Sequence, residues 1–316
     1  MQRRRVGDSG LQVSRIGLGT MTWGEDTDVE SAGEQLIAFL EEGGTLVETA
    51  NVYGDGKAQE ILGAHLADGV VDRDSLVLAG RGGPPPGPLG ENAARGALLA
   101  GLDATLRRLG TDHLDLWQLP GWDDRVPLEE RLSAVQVAVL SGRVRYAGLV
   151  APAGWQLATT VERARHLGNI VLPVSAQAEY SLLHRTAELE LLPAARHHGV
   201  GMLAWAPLGR GVLTGKYTDG TPADSRAASA VLAPYVEARR NERSARIVQS
   251  VLTAADGLGT SPLAVALAWV RDRPGVASAV VGARDAAQLI ASMATESITL
   301  PAEIRAALDD VSEPAR

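Results

Sequence analysis

Apolar residues recur along the chain with two alternating periods. Short runs at 16–20, 46–49, 76–79, 114–119, 145–150, 172–176, 201–204 and 277–281 have the length and composition of parallel strands buried on both faces. Between them, segments 29–40, 58–66, 91–109, 128–140, 155–167, 188–197, 263–271 and 286–293 place apolar residues three and four apart, as one face of a helix requires. Eight strand–helix repeats predict an α/β fold, a parallel sheet closed into a (β/α)8 TIM barrel. Residues 4–6 and 11–13, joined by Gly7-Asp8-Ser9-Gly10, read as an N-terminal β-hairpin cap, and helices are expected at the C-terminal end. No linker interrupts the pattern, so residues 1–316 are read as one barrel domain. Two loops stand out. Segment 217–234 is long and rich in small residues, and is read as a mobile lid; Gly82-Gly83-Pro84-Pro85-Pro86-Gly87-Pro88 is a stiff turn after the third barrel strand.

Composition narrows the function. The 316 residues exceed the roughly 250 that a barrel needs. A net charge of −8 argues against a nucleic-acid surface. The absence of cysteine excludes disulfides, thiolate metal sites and a cysteine nucleophile. No apolar run reaches the ~18 residues of a membrane helix, and no apolar leader opens the chain, so a cytoplasmic enzyme acting on a small molecule is expected. The six histidines lack metal-ligand spacing and most read as solvated or helix-capping, with His113 expected at the barrel bottom, so no metal is expected. Gly17-Leu18-Gly19 opens no helix, so a Rossmann-type dinucleotide site is not supported.

In this fold, chemistry sits where strands end at their C-terminal face. The phrases found there are Gly17-Leu18-Gly19-Thr20, Thr49-Ala50-Asn51-Val52-Tyr53-Gly54, Asp115-Leu116-Trp117-Gln118-Leu119, Gln177-Ala178-Glu179-Tyr180-Ser181, Pro207-Leu208-Gly209-Arg210-Gly211 through Lys216-Tyr217, and Gly282-Ala283-Arg284, with Gln59-Glu60-Ile61-Leu62-Gly63 on the helix following Tyr53. In this order, over nearly the whole chain, the series resembles the aldo/keto reductases. That resemblance implies a nicotinamide cofactor, usually NADPH, and a catalytic tyrosine tuned by an aspartate–lysine pair and assisted by a histidine. Tyr53 falls on the tyrosine position, but Glu48, Arg81 and Pro120 stand where the aspartate, lysine and histidine belong.

A phenol has an ordinary pKa near 10 and needs a nearby cation to release its proton readily at neutral pH. Arg81 supplies such a charge, but it cannot pass on a proton, and its planar fork seeks a carboxylate. Glu48 is expected to be that partner, gripped fork to fork. Pro120 offers no side-chain donor and no N–H, and losing one oriented donor at a developing oxyanion costs about 10²–10³ in rate. Two readings of the pair stand: a rewired proton-transfer centre, or a structural ion pair at the barrel mouth.

The resemblance also assigns a cofactor site to Gly19, Thr20, Met21, Gln177, Trp205, Pro207, Leu208, Gly209, Gly211, Lys216, Gly282, Arg284 and Gln288. Gln177 and Trp205 would meet the nicotinamide, while the Gly209–Gly211 loop, Lys216 and Arg284 suit phosphates. Val150-Ala151 replaces the family's Ser-Asn amide clamp, and Ser292 stands where asparagine is usual. NADP(H) binding is favoured, held more loosely at its reactive end. Trp23, Pro120 and Trp122 are expected to wall the substrate pocket, with Trp155 and Trp269 packing helices. The leading functional reading is acid–base chemistry on a small, specialised-metabolite-type substrate through Tyr53, with Glu48 as base. The alternatives are a surviving NADPH-dependent reductase and a non-catalytic cofactor- or partner-binding protein. Oligomeric state is not read.

Overall fold

A computed structural model describes residues 1–83, 93–168, 171–218, 220–222, 225–228 and 233–314. The eight apolar runs become β3 (Ile16–Gly19), β4 (Leu46–Ala50), β5 (Val77–Arg81), β6 (Leu114–Leu119), β7 (Val144–Val150), β8 (Pro173–Glu179), β9 (Gly201–Trp205) and β10 (Val276–Val281). They close in chain order, all parallel, with β10 pairing β3. Helices α1 (Val29–Glu41), α2 (Lys57–Ala67), α3 (Arg95–Leu109), α4 (Leu128–Leu140), α5 (Gly154–His166), α6 (Leu191–His198), α9 (Pro262–Arg271) and α10 (Ala286–Met293) follow the strands in turn. The barrel is therefore of the (β/α)8 class. Its hairpin, β1 (Arg3–Arg5) with β2 (Gln12–Ser14), keeps the expected register, Arg4 opposite Val13, with each strand assigned one residue farther from the turn.

Alternation along the strands builds two cores. Leu46, Ala79, Leu116 and Leu203 turn inward and pack on the hairpin's Val6, Leu11 and Val13, which plug the barrel. The larger core lies between strands and helices. Above the inner plug the same inward rows become polar: Glu48, Gln118, Gln177 and Ser175 are all buried. That change of polarity is what places chemistry at one end of the barrel.

Some elements depart from the sequence reading. α6 starts at Leu191, not 188, because a 3-10 turn at Thr186–Glu188 precedes it and Pro193 must stay within the first turn. Three helices had no assigned range: α7 (Ala233–Glu237), α8 (Glu242–Gly257) and α11 (Ala302–Val311). The signal for α8 was present. Asn241 caps its start by accepting from Ser244 N, and Ile247, Val248, Val251, Ala254 and Ala255 form its buried stripe. Among the described residues no single helix is long and apolar enough to cross a membrane; α8 and α9 pass only as a pair bent by 103°. Pro84–Pro86, Gly87 and Pro88 lie outside the described residues, as does part of the 217–234 loop.

Candidate active site

The site begins with a turn. After β4, Gly54, Asp55 and Gly56 take φ of 54°, 54° and 94°, three consecutive left-handed residues that fold the chain back on itself. Glycine accepts this freely and aspartate tolerates it. The reversal brings the Tyr53 hydroxyl over Glu48, five positions earlier, where it donates to a carboxylate whose two oxygens each lie 3.2 Å away. Glu48 is only 2% exposed. From the end of β5, Arg81 donates through Nη2 to the Tyr53 oxygen, and its Cζ stands 4.9 Å from the phenol ring centroid. Its Nε lies 2.9 Å from Glu48 Oε1, an ion pair in which the N–H is not aimed for a hydrogen bond. Arg81 thus spreads its fork over two partners, correcting the expected fork-to-fork grip.

Gln177, at the end of β8, completes the cluster by donating through Nε2 to Glu48 Oε1 at 3.2 Å. Sequence reading assigned Gln177 to the cofactor alone and missed this bond. Glu48 is therefore buried beneath a tyrosine, an arginine and an amide. Side-chain exposure of only 3% leaves that carboxylate little contact with solvent. Tyr53 and Arg81 both remain partly exposed, while Glu48 and Gln177 beneath them are buried.

Residues suited to a nicotinamide cofactor lie on the same face. Gln177 Oε1, Thr20 Oγ1 and Trp205 Nε1 are buried polar atoms with no partner, the condition of groups awaiting a ligand. Gly209, Arg210 and Gly211 follow β9 in left-handed conformation, at φ of 55°, 60° and 90°. A Cβ at Gly209 would strike Leu183 Cδ1 at 2.7 Å, and one at Gly211 would press Lys216 Cε at 3.1 Å, so both positions need glycine. At the other end, the Arg284 backbone N–H donates to Gln288 Oε1 at 3.4 Å, and Thr22 and Thr27 tie the β3 loop, including Met21, to the carbonyls of Ala283 and Arg284. Pro207 is buried, Leu208 partly so, and Lys216 and Gly282 are exposed. The donor set fits the group: an amide acceptor, an aromatic face and glycine-lined backbone.

Over Trp205 lies a second charged cluster that the sequence did not announce. Arg210 Cζ sits 5.4 Å from the Trp205 ring and 4.7 Å from that of Tyr235 on α7. Glu179 gathers Arg210 at 4.0 Å and Arg239 at 2.7 Å, joining β8 to the segment that follows α7. Burial holds the neighbouring His184 below the ordinary histidine range, with Glu179 opposing and Arg239 reinforcing that shift.

The expected substrate wall is redistributed. Trp23 is fully buried, its indole N–H donating to Gln35 Oε1 at 3.1 Å, so it packs β3 against α1 and walls no open pocket. Pro120 and Trp122 edge a slot outside the barrel wall. Trp155, expected as helix packing, is 54% exposed and meets Trp122 edge-on at 5.1 Å. Trp269 does pack as expected, buried and stacked on Tyr180. His65, read as solvated or capping, is buried against the Val29 carbonyl at 2.9 Å. Among the described residues no group of three His, Asp or Glu side chains is placed to hold a metal ion.

Comparison with known proteins finds matches over nearly the full length of the chain. The model of the aldo/keto reductase family matches residues 15–313. The chain is 36% identical to the uncharacterized oxidoreductase YrpG of Bacillus subtilis, covering 98% of this chain and 96% of that protein. It is 34% identical to L-glyceraldehyde 3-phosphate reductase of Escherichia coli O157:H7, covering 98% and 92%. Identity is 32% to a probable voltage-gated potassium channel subunit beta of Arabidopsis thaliana, covering 93% and 90%. With a phenol at the end of β4, a charged pair beneath it and the matched segments in order around one barrel, the chain belongs to the aldo/keto reductase family as an oxidoreductase-type member.

Proposed function

We propose that this protein is an NADP(H)-dependent oxidoreductase that interconverts a carbonyl and an alcohol on a small organic substrate, with Tyr53 as the proton donor. The observation that carries the reading is the Tyr53 hydroxyl held between the Arg81 guanidinium and the Glu48 carboxylate at the C-terminal face. The same observation ranks this reading above non-redox acid–base chemistry, which needs Glu48 as a base, whereas Tyr53 and Gln177 already donate to that carboxylate and Arg81 is paired with it.

When bound, the cofactor supplies the hydride. Gln177 Oε1 would accept from its carboxamide, Trp205 would offer an aromatic face, and the Gly209–Gly211 loop with Lys216 and Arg284 would hold its phosphates. Tyr53 turns its O–H from Glu48 to the substrate oxygen and gives up the proton there. Arg81 stabilises the phenolate left behind, as an adjacent cation does. Glu48 keeps the Arg81–Glu48 pair neutral, so the phenolate is not held too tightly to be reprotonated. Pro120 contributes no donor, and its carbonyl is already taken by Arg131. A substrate oxygen therefore receives one donor where the family arrangement gives two, and simple aldehydes should turn over slowly.

The test is a fluorescence titration with NADPH followed by a panel of aldehydes and ketones, run on the wild type and on Pro120→His. Saturable NADPH binding, slow turnover of simple aldehydes and a gain of about 10²–10³ in kcat for the histidine variant are expected. Absence of cofactor binding, or brisk wild-type turnover that the substitution leaves unchanged, would overturn the proposal.

A further inference from the structure

The guanidinium beside Tyr53 has more donors than its two partners consume. Arginine carries five N–H donors on three nitrogens. Nη2 of Arg81 donates to the Tyr53 oxygen, and Nε faces Glu48 Oε1 at 2.9 Å, buried and without a hydrogen bond. Nη1 makes no hydrogen bond among the described residues, and unlike Nε it is not shut away from solvent. The Arg81 side chain is 25% exposed, against 3% for Glu48, so the accessible part of the pair belongs to the arginine.

That spare arm lies next to the proton donor. Nη1 and Nη2 hang from one carbon, and Nη2 is already bonded to the phenol oxygen. A carbonyl that accepts from the Tyr53 hydroxyl therefore has the Nη1 hydrogens beside it, within reach of an oxygen on the neighbouring carbon of the substrate. A lysine in this place would present one nitrogen, drawn to Tyr53 and Glu48 together, with no planar second arm. The turn after β6 offers no rival contact, because the carbonyls of Pro120 and Gly121 both accept from Arg131 and Pro120 has no N–H. Charge decides what kind of oxygen fits. Glu48 already neutralises Arg81, so a substrate carboxylate would set two anions on one cation. An uncharged hydroxyl or carbonyl oxygen accepts without that repulsion.

We infer that Arg81 determines specificity: its Nη1 takes the second oxygen of a neutral ketone or aldehyde that is oxygenated on the adjacent carbon, as in a 2-hydroxyketone. Tyr53 remains the donor to the carbonyl itself, so this role rests on the carbonyl–alcohol reading. Anchoring at two points holds the carbonyl against Tyr53 through the substrate's own second oxygen, which offsets the donor that Pro120 lacks. Simple aldehydes have nothing to offer this arm.

Calorimetric titration of the full chain, with and without saturating NADP+, reads this contact as binding rather than turnover. The probes are 2-hydroxyacetophenone, its isostere propiophenone, in which a methyl replaces the hydroxyl, and 2-methoxyacetophenone, which keeps the second oxygen as an acceptor only. The hydroxyketone and the methoxyketone should both bind at least about tenfold tighter than propiophenone, the least that one hydrogen bond from a charged donor contributes. Arg81→Lys, which keeps a cation beside Tyr53, should cut that preference below about threefold. The wild-type comparison of the three ketones decides the matter even where Arg81→Lys fails to fold. No saturable binding, equal affinity for the three, a preference lost in the methoxyketone, tighter binding of phenylglyoxylate than of the hydroxyketone, or a preference that survives Arg81→Lys would each overturn the inference. A binding preference that persists while no ketone receives hydride from NADPH would leave the Arg81 contact standing and overturn the carbonyl–alcohol reading instead.

Discussion

Four non-glycine residues among those described have positive φ, and all four lie in loops after the C-terminal ends of strands: Asp55 after β4, Ala151 after β7, and Ala206 and Arg210 after β9. Left-handed backbone costs roughly 1–2 kcal/mol for a residue bearing a Cβ, and such strain collects where a fold serves function. Ala151, at φ 46°, bears it with no side chain to bond in return. Ala151→Gly should therefore stabilise the protein by about 0.5–1 kcal/mol after the entropy of glycine is subtracted, raising Tm by about 1 °C. Calorimetry showing an unchanged or lower Tm would contradict the strain. The resemblance to the aldo/keto reductases is what put Glu48, Arg81 and Tyr53 in one cluster at the strand ends. It could not foresee how Arg81 divides its fork or that Gln177 joins, since those depend on side-chain directions set by barrel curvature. Trp23 misled because a tryptophan near a strand end is equally suited to a pocket wall and to a seal between strand and helix.

At the scale of elements, the strands and most helices were legible because burial on both faces, or on one stripe, writes a regular period into the chain. The clusters binding loops together were not. Glu179 lies two residues beyond Gln177 on β8, a spacing that puts both on one side of the strand, yet its partners Arg210 and Arg239 come from 31 and 60 residues farther on. Those contacts fasten α7 and the segment after it above Trp205. Glu179→Gln removes the shared charge and should accelerate amide exchange at 233–240 by about tenfold, equivalent to ~1.4 kcal/mol, while β8 and β9 keep their protection. Mass-detected hydrogen exchange reads this directly; equal exchange in both proteins would show that the ion pairs do not secure the segment.

Across the whole molecule, two partly buried charge networks lie away from the Tyr53 cluster. One joins Arg4, Arg15 and Arg271 to Asp272. The other joins Arg185 and Arg273 to Glu188 and Asp309, clasping α11. Burial pushes the Asp272 and Glu188 carboxyls up, but hydrogen bonds from Arg271 and Arg185 outweigh it and hold both below the ordinary carboxylate range. Carboxylates depressed on folding contribute stability above their unfolded pKa near 4, and lose it as pH falls through the lower folded value. Thermal midpoints should thus be insensitive to these groups from pH 5 to 8 and drop steeply below about pH 4. A midpoint that holds at pH 3 would mean the networks contribute little. The central claim concerns the other face, where a phenol works with a guanidinium and a carboxylate and no imidazole. Its most direct measurement follows deuterium from NADPH labelled at the transferred position into the alcohol product, for wild type and Tyr53→Phe. Label in the wild-type product, with turnover by Tyr53→Phe reduced at least about 100-fold at unchanged NADPH affinity, is the predicted result. Unlabelled product, or label transferred equally well without the hydroxyl, would contradict it.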